Sequence, residues 1–184
     1  MRSGIYPGDD ASANQILSLA SEYDSAAQIL MSTNTKNVRC PFRMTALHAI
    51  ELYLNAHLVH TGFTLANVRG LQHDLAARAA ILSNDLKLRA KTKAHLTFIT
   101  RNREYLVTRY QPLARELSEL NRISATLTEI REKVVKAIRP KPVTFSPTPS
   151  NAALGDELTV GIRAAERNNH TIRASLPTPS TDDL

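Results

Sequence analysis

A chain of 184 residues, 42% of them hydrophobic, can bury one ordinary core, and with no Trp that core must rest on Leu, Ile, Ala and Val. No apolar run approaches the ~20 residues of a membrane span, and the polar opening MRSGIYPGDD lacks the apolar core of a secretory leader, so a cytoplasmic protein without membrane attachment is expected. The lone Cys40 excludes an internal disulfide, and the net charge of +6 is uneven: residues 85–141 hold 14 Lys and Arg against 6 Asp and Glu, a local excess of +8.

In chain order, Ile16, Leu19, Ala20, Tyr23, Ala27 and Leu30 recur at three-and-four spacing, which predicts a helix over 10–32 capped by Asp9 or Asp10. STNTKN ends it, and CPFRMTALHAIELYLNAHLVHTG predicts a second helix, with Pro41 in its first turn and Gly62 at its exit. FTLANVRG reads as a loop into a short third helix, LQHDLAARAAIL, with Asp74 in the first turn where a carboxylate favours the helix dipole. Leu88, Leu96, Ile99, Leu106 and Val107 mark the inner face of a longer helix over 86–110, limited by Pro112. A last helix over 122–138 carries Ile123, Leu127, Ile130, Val134 and Ile138 on one stripe. Beyond it, PKPVTFSPTPS and SLPTPSTDDL are too rich in Pro, Ser and Thr to offset chain entropy. The expectation is all-α: a four- to five-helix up-and-down bundle over 10–138, a short extension over 1–9, and a disordered C-terminal tail over 139–184 that binds or tethers a partner.

The second helix carries the chemistry. At about 100° per residue, His48, Glu51 and Asn55 share a sector of roughly 60°, while His57 and His60 fall on another edge beside Tyr53. The histidines therefore do not converge on a metal ion, and neither a metal site nor a cofactor is expected. The seam His48–Glu51–Asn55 needs partners if it is buried, and His73, Asp74, Arg103 and Arg109 are the candidates. Two readings stay open: an internal network that sets helix register, or a ligand-facing seam where Glu51 and an arginine grip a nucleotide or RNA.

ALHAIELYLNAHL, then LQHDLAARAAIL, then REYLVTRYQP resembles, in order and spacing, the HEPN domain (higher eukaryotes and prokaryotes nucleotide-binding), over roughly residues 10–138. Glu51, Leu52, Leu54 and Ala56 match the family's first element, His73, Asp74 and Leu75 its second, and Arg109, Tyr110 and Pro112 its third, with Gln111 inserted. Asn55 stands where the family usually has lysine. The resemblance implies a helical bundle, commonly a homodimer, with functions spanning nucleotide-binding modules, RNase toxins and partners of nucleotidyltransferases. Ribonuclease members carry R-x4-6-H near the start of the last core helix. Here Arg43-x4-His48 lies on the second helix, Arg89-x5-His95 on the basic one, and the last helix has no histidine.

The primary expectation is thus a HEPN-like module that binds nucleotide or RNA without an intact RNase motif. Its contacts would be Glu51, His73, Asp74, Arg101, Arg103, Arg109 and Tyr110, since guanidinium grips phosphate with two prongs. The alternatives are a metal-independent endoribonuclease toxin using Arg89 and His95, held by an antitoxin, and a non-catalytic interaction scaffold.

Overall fold

The computed structural model describes residues 8, 10–33, 35–110 and 117–139, all within one unit of the chain, Met1–Pro142. The expected tail beyond Arg139, with Gln111 and Pro112, lies outside the described residues. Every regular element among them is helical, so the all-α expectation holds.

Helix α1 spans Ala13–Ser32. Its cap is Ser12, not Asp9 or Asp10. The Ser12 hydroxyl accepts from the Gln15 amide at 3.3 Å, and Gln15 Oε1 accepts from the Ser12 amide at 2.8 Å. This reciprocal box satisfies two unpaired first-turn donors, which a carboxylate two residues upstream could not do. Ala20 and Ala27 are fully buried on α1, and these small side chains let it lie close along α2. A 3-10 turn, Lys36–Val38, leads into α2, Arg39–His60. α2 is the central helix, burying Ala46, Ala49, Ile50, Tyr53, Leu54, Ala56 and Leu58 as it packs on α1 and α8. Gly62 stops it at φ +98°, a left-handed conformation in which only glycine is free of Cβ strain.

The expected loop at FTLANVRG forms a short helix α3, Leu65–Gly70, because the Thr64 hydroxyl accepts from the Asn67 amide and caps it. The third expected helix starts later than its sequence pattern. Leu71–His73 are turn residues, and Asp74 is the N-cap of α4, Leu75–Ile81, rather than a residue of its first turn. A single turn α5, Ser83–Leu86, ends in Lys87 at φ +46°.

The helix expected over 86–110 is two helices, α6 (Ala90–Arg101) and α7 (Glu104–Tyr110), separated by Asn102 and Arg103, the latter at φ +48°. A continuous helix would set Glu104 about 140° round from the buried Ile99, facing water. The break instead turns Glu104 fully inward, where its Oε1 accepts from the Ser118 amide at 2.8 Å and hydroxyl at 2.6 Å. α8, Leu120–Ile138, buries its whole expected stripe, Ile123, Leu127, Ile130, Val134 and Ile138. It runs antiparallel to α6, as the pairs Lys87–Lys133, Arg89–Glu129 and His95–Thr126 show.

Candidate functional site

The polar seam of α2 is closed from inside by a residue that the motifs did not single out. Arg78 takes an inward position in the α4 stripe Leu75–Arg78–Ala79–Leu82 and is 1% exposed. Its Nε donates to Asn55 Oδ1 at 2.7 Å and its Nη2 to Glu51 Oε1 at 3.2 Å. The carbonyls of Val68, Leu71, Gln72 and Asp74 accept its remaining hydrogens. Burial draws its pKa down, while Glu51 and Asp74 hold it up. A buried guanidinium is tolerable only with this degree of satisfaction. Arg103 and Arg109, the expected arginine partners of Glu51, are exposed; the break after α6 puts Arg103 in a linker, and Arg78 takes that role.

The outer rim is built on His73. Its Nδ1 lies 3.0 Å from Glu51 Oε2, so the ionised carboxylate accepts and this nitrogen carries the hydrogen. Its ring is 4.5 Å from the Tyr105 ring at an interplanar angle of 37°, and its side chain is 41% exposed. Glu51 therefore divides its oxygens, one toward the core through Arg78 and one toward the surface through His73. Three depressions meet at His73. A cavity of about 440 Å³ adds Glu51, Asn55, Arg69, Gln72 and Arg78. One of about 470 Å³ adds Gly70, Asp74, Thr100, Arg103 and Tyr105. A narrow cleft adds Met44, His48, Tyr105 and Arg109.

The other expected contacts are distributed around this rim. Asp74 Oδ1 accepts from the Ala77 amide at 2.8 Å as the α4 cap, while its flank lines the second cavity. His48 packs edge-on against Tyr23, ring centroids 4.5 Å apart, rather than joining the Arg78 network. Burial lowers its pKa, Glu51 opposes that shift, and Arg109 and His73 add to it. Arg101 and Tyr110 are exposed on α6 and α7, Tyr110 at 76%. Arg101, Arg103 and Arg109 form no ion pair among the described residues.

Arg89 and His95 are brought to one helix but not to one reactive centre. Arg89 Nε donates to Glu129 Oε2 at 2.7 Å, and its amide donates to Oε1 at 2.8 Å. Burial pushes the Glu129 carboxyl up, but the Arg89 amide, the Thr92 hydroxyl and the Arg89 and Lys133 side chains together bring it to about 2. His95 is buried between α6 and α8, Nδ1 at 2.7 Å from the Thr126 hydroxyl and Nε2 at 2.9 Å from that of Ser118. Burial, then Arg122, lowers its pKa to about 4. His57, expected on an edge with His60, is buried at 3%, with neither ring nitrogen hydrogen-bonded among the described residues, because α2 is covered on nearly all sides. Asp85 lies 3.9 Å from it. No group of three or more His, Cys, Asp and Glu among the described residues could hold a metal ion.

Arg78 and Tyr105 stand outside the residues that the sequence motifs mark. The signal for Arg78 was present, since a charged residue at the inward position of Leu75–Ala79–Leu82 must find partners inside. Tyr105 gave no such signal, because its approach to His73 depends on the α6–α7 break. No protein-family model, no curated protein and no solved structure matches this chain when compared with it.

Proposed function

We propose that the protein is a non-catalytic, HEPN-like helical module that binds a nucleotide or RNA at the rim around His73. The observation that carries this reading is the surface pair His73–Tyr105, its rings 4.5 Å apart between two depressions with Arg103 and Arg109 on their walls. An aromatic face takes a nucleobase by stacking, and unpaired guanidinium groups take its phosphates in bidentate fashion. The resemblance in ALHAIELYLNAHL, LQHDLAARAAIL and REYLVTRY supports the same assignment, because Glu51, His73 and Arg109 all fall at this rim.

The ribonuclease alternative draws less support from the geometry. A general acid or base must reach the 2′-hydroxyl, whereas His95 is buried with both nitrogens occupied and Arg89 is held by Glu129.

Equilibrium titration with ATP tests the proposal. Tyr105→Ala should weaken binding roughly 5- to 150-fold, the value of one base–aromatic stack. Arg103→Ala and Arg109→Ala should each weaken it and flatten its salt dependence. Wild-type affinity in all three variants, each with an unchanged helical spectrum, overturns the reading.

A further inference from the structure

Between Asp85 and Glu104 the chain has no acidic residue but has Lys87, Arg89, Lys91, Lys93, Arg101 and Arg103. α6 lies within this stretch. Thr92, His95, Leu96 and Ile99 turn inward, and Lys91, Lys93, Ala94, Thr97, Phe98 and Arg101 turn outward. Arg89 is neutralised by Glu129, but Lys91, Lys93 and Arg101 have no carboxylate partner among the described residues. Phe98 is 41% exposed on this face. At the C-terminal end of α6, Thr100 and Arg103 line the cavity that also holds His73 and Tyr105.

We propose that the outer face of α6 is a track for single-stranded nucleic acid, with phosphates on Lys91, Lys93 and Arg101 and a base stacked on Phe98. Only its far end, where the strand meets His73–Tyr105, rests on the nucleotide-binding reading above. Twelve helical residues span ~18 Å, long enough to seat several nucleotides of an extended strand. An acid-free row of cations suits any polyanion. An exposed ring on this face, Phe98, and the His73–Tyr105 pair in the cavity beside its C-terminal end single out a strand whose bases are free to stack, since duplex bases are already paired and covered. An acidic protein segment would satisfy the cations without using both aromatic surfaces.

The test uses the full chain, fluorescein-labelled oligouridylates of 2, 6 and 12 nucleotides, and ATP in parallel. Affinity should rise at least tenfold from the dimer to the hexamer. A variant carrying Lys91→Ala, Lys93→Ala and Arg101→Ala should bind the 12-mer more than tenfold weaker. Its log–log salt slope should be reduced by about 2, three contacts at ~0.7 each. Phe98→Ala should cost about 5- to 150-fold, leave poly-glutamate binding unchanged and bind ATP as wild type does. Wild-type oligonucleotide affinity and slope in the triple variant overturn the track. So does poly-glutamate that binds as tightly as the 12-mer and ignores Phe98→Ala, which would make the face an acidic-protein site. Loss of ATP binding from the wild type alone, with length dependence and triple-variant sensitivity intact, sinks the His73–Tyr105 reading and leaves the track standing.

Discussion

Arg78→Met is the sharpest test of the architecture around the site. The substitution keeps most of the side-chain volume and removes every guanidinium hydrogen bond, including those to Glu51, Asn55 and four backbone carbonyls. Removing one partner of a buried ion pair costs about 3–5 kcal/mol, because the other charge is left uncompensated. Two features pull the value toward the lower end. Glu51 keeps His73 on Oε2, and it borders an open cavity of about 440 Å³ through which water can reach the orphaned oxygen. Leu71 and Asp74 also keep backbone partners for their carbonyls. The expected loss is therefore ~3 kcal/mol, which at an m-value of ~2 kcal/mol/M lowers the urea midpoint by ~1.5 M. Glu51→Gln is the matched counterpart. It leaves the buried Arg78 charge with Asn55 and the four carbonyls but without its paired carboxylate, so by the same reasoning it should also cost ~3 kcal/mol. Urea titration followed by far-UV circular dichroism reads both. A loss below ~1 kcal/mol for Arg78→Met at unchanged m-value would refute the claim that this guanidinium holds α4 to α2.

Two further outcomes follow from local geometry. The His95 pKa lies near 4 in the fold, mainly through burial, against 6.5 for an unperturbed histidine, and burial lowers His48 and His57 as well. The unfolded chain thus takes up protons first, so this contribution to stability is fully present above pH ~6.5 and falls progressively toward pH 4. The urea midpoint at pH 5 should lie below that at pH 7.5, and the His95 ring resonance should titrate near pH 4 in NMR; a midpoint near 6.5 refutes the buried placement. Lys87 closes α5 at φ +46° and ψ +46°, so Lys87→Gly should relieve Cβ strain, add ~0.5–1 kcal/mol and raise Tm by ~2–6 °C. Calorimetry showing no gain would count against a left-handed Lys87.

The long elements were legible because their apolar spacing carries the signal at many positions. The α8 stripe from Ile123 to Ile138 and the nearly all-round burial of α2 are of that kind. What escaped were decisions made by single side chains. Ser12 took the cap because Gln15 could complete the box, a cooperation between two residues that a general preference for aspartate does not weigh. The break at Arg103 left the apolar pattern of 88–107 almost unchanged, since it is driven by one contact distant in sequence, Glu104 with Ser118. Once that break was missed, Tyr105 could not be placed against His73, and Arg103 remained a plausible partner for Glu51. The seam itself was visible as Glu51 and Asn55, but its occupant came from α4, and pairing across helices is not written in the periodicity of either one.

Glu51 is where the two parts of the site meet, and its two oxygens separate what stability measurements can say from what binding measurements can say. Oε1 belongs to the core through Arg78, whereas Oε2 fixes the His73 ring through Nδ1. A change at Glu51 or Arg78 therefore acts on the fold and the rim together, and weakened binding in such a variant would not identify a ligand contact. Tyr105, Arg103, Arg109 and Phe98 lack that ambiguity, because Arg103, Arg109 and Phe98 are exposed, Tyr105 is partly so, and none enters the Arg78 network. The asymmetry also explains why an amide suits position 55. With Arg78 already buried against Glu51, a second cation at 55 would face the guanidinium at hydrogen-bond distance, while an amide oxygen accepts its Nε–H. The positive charge inside the seam stands on α4, donated inward, whereas Arg101, Arg103 and Arg109 stand exposed on α6, the linker and α7.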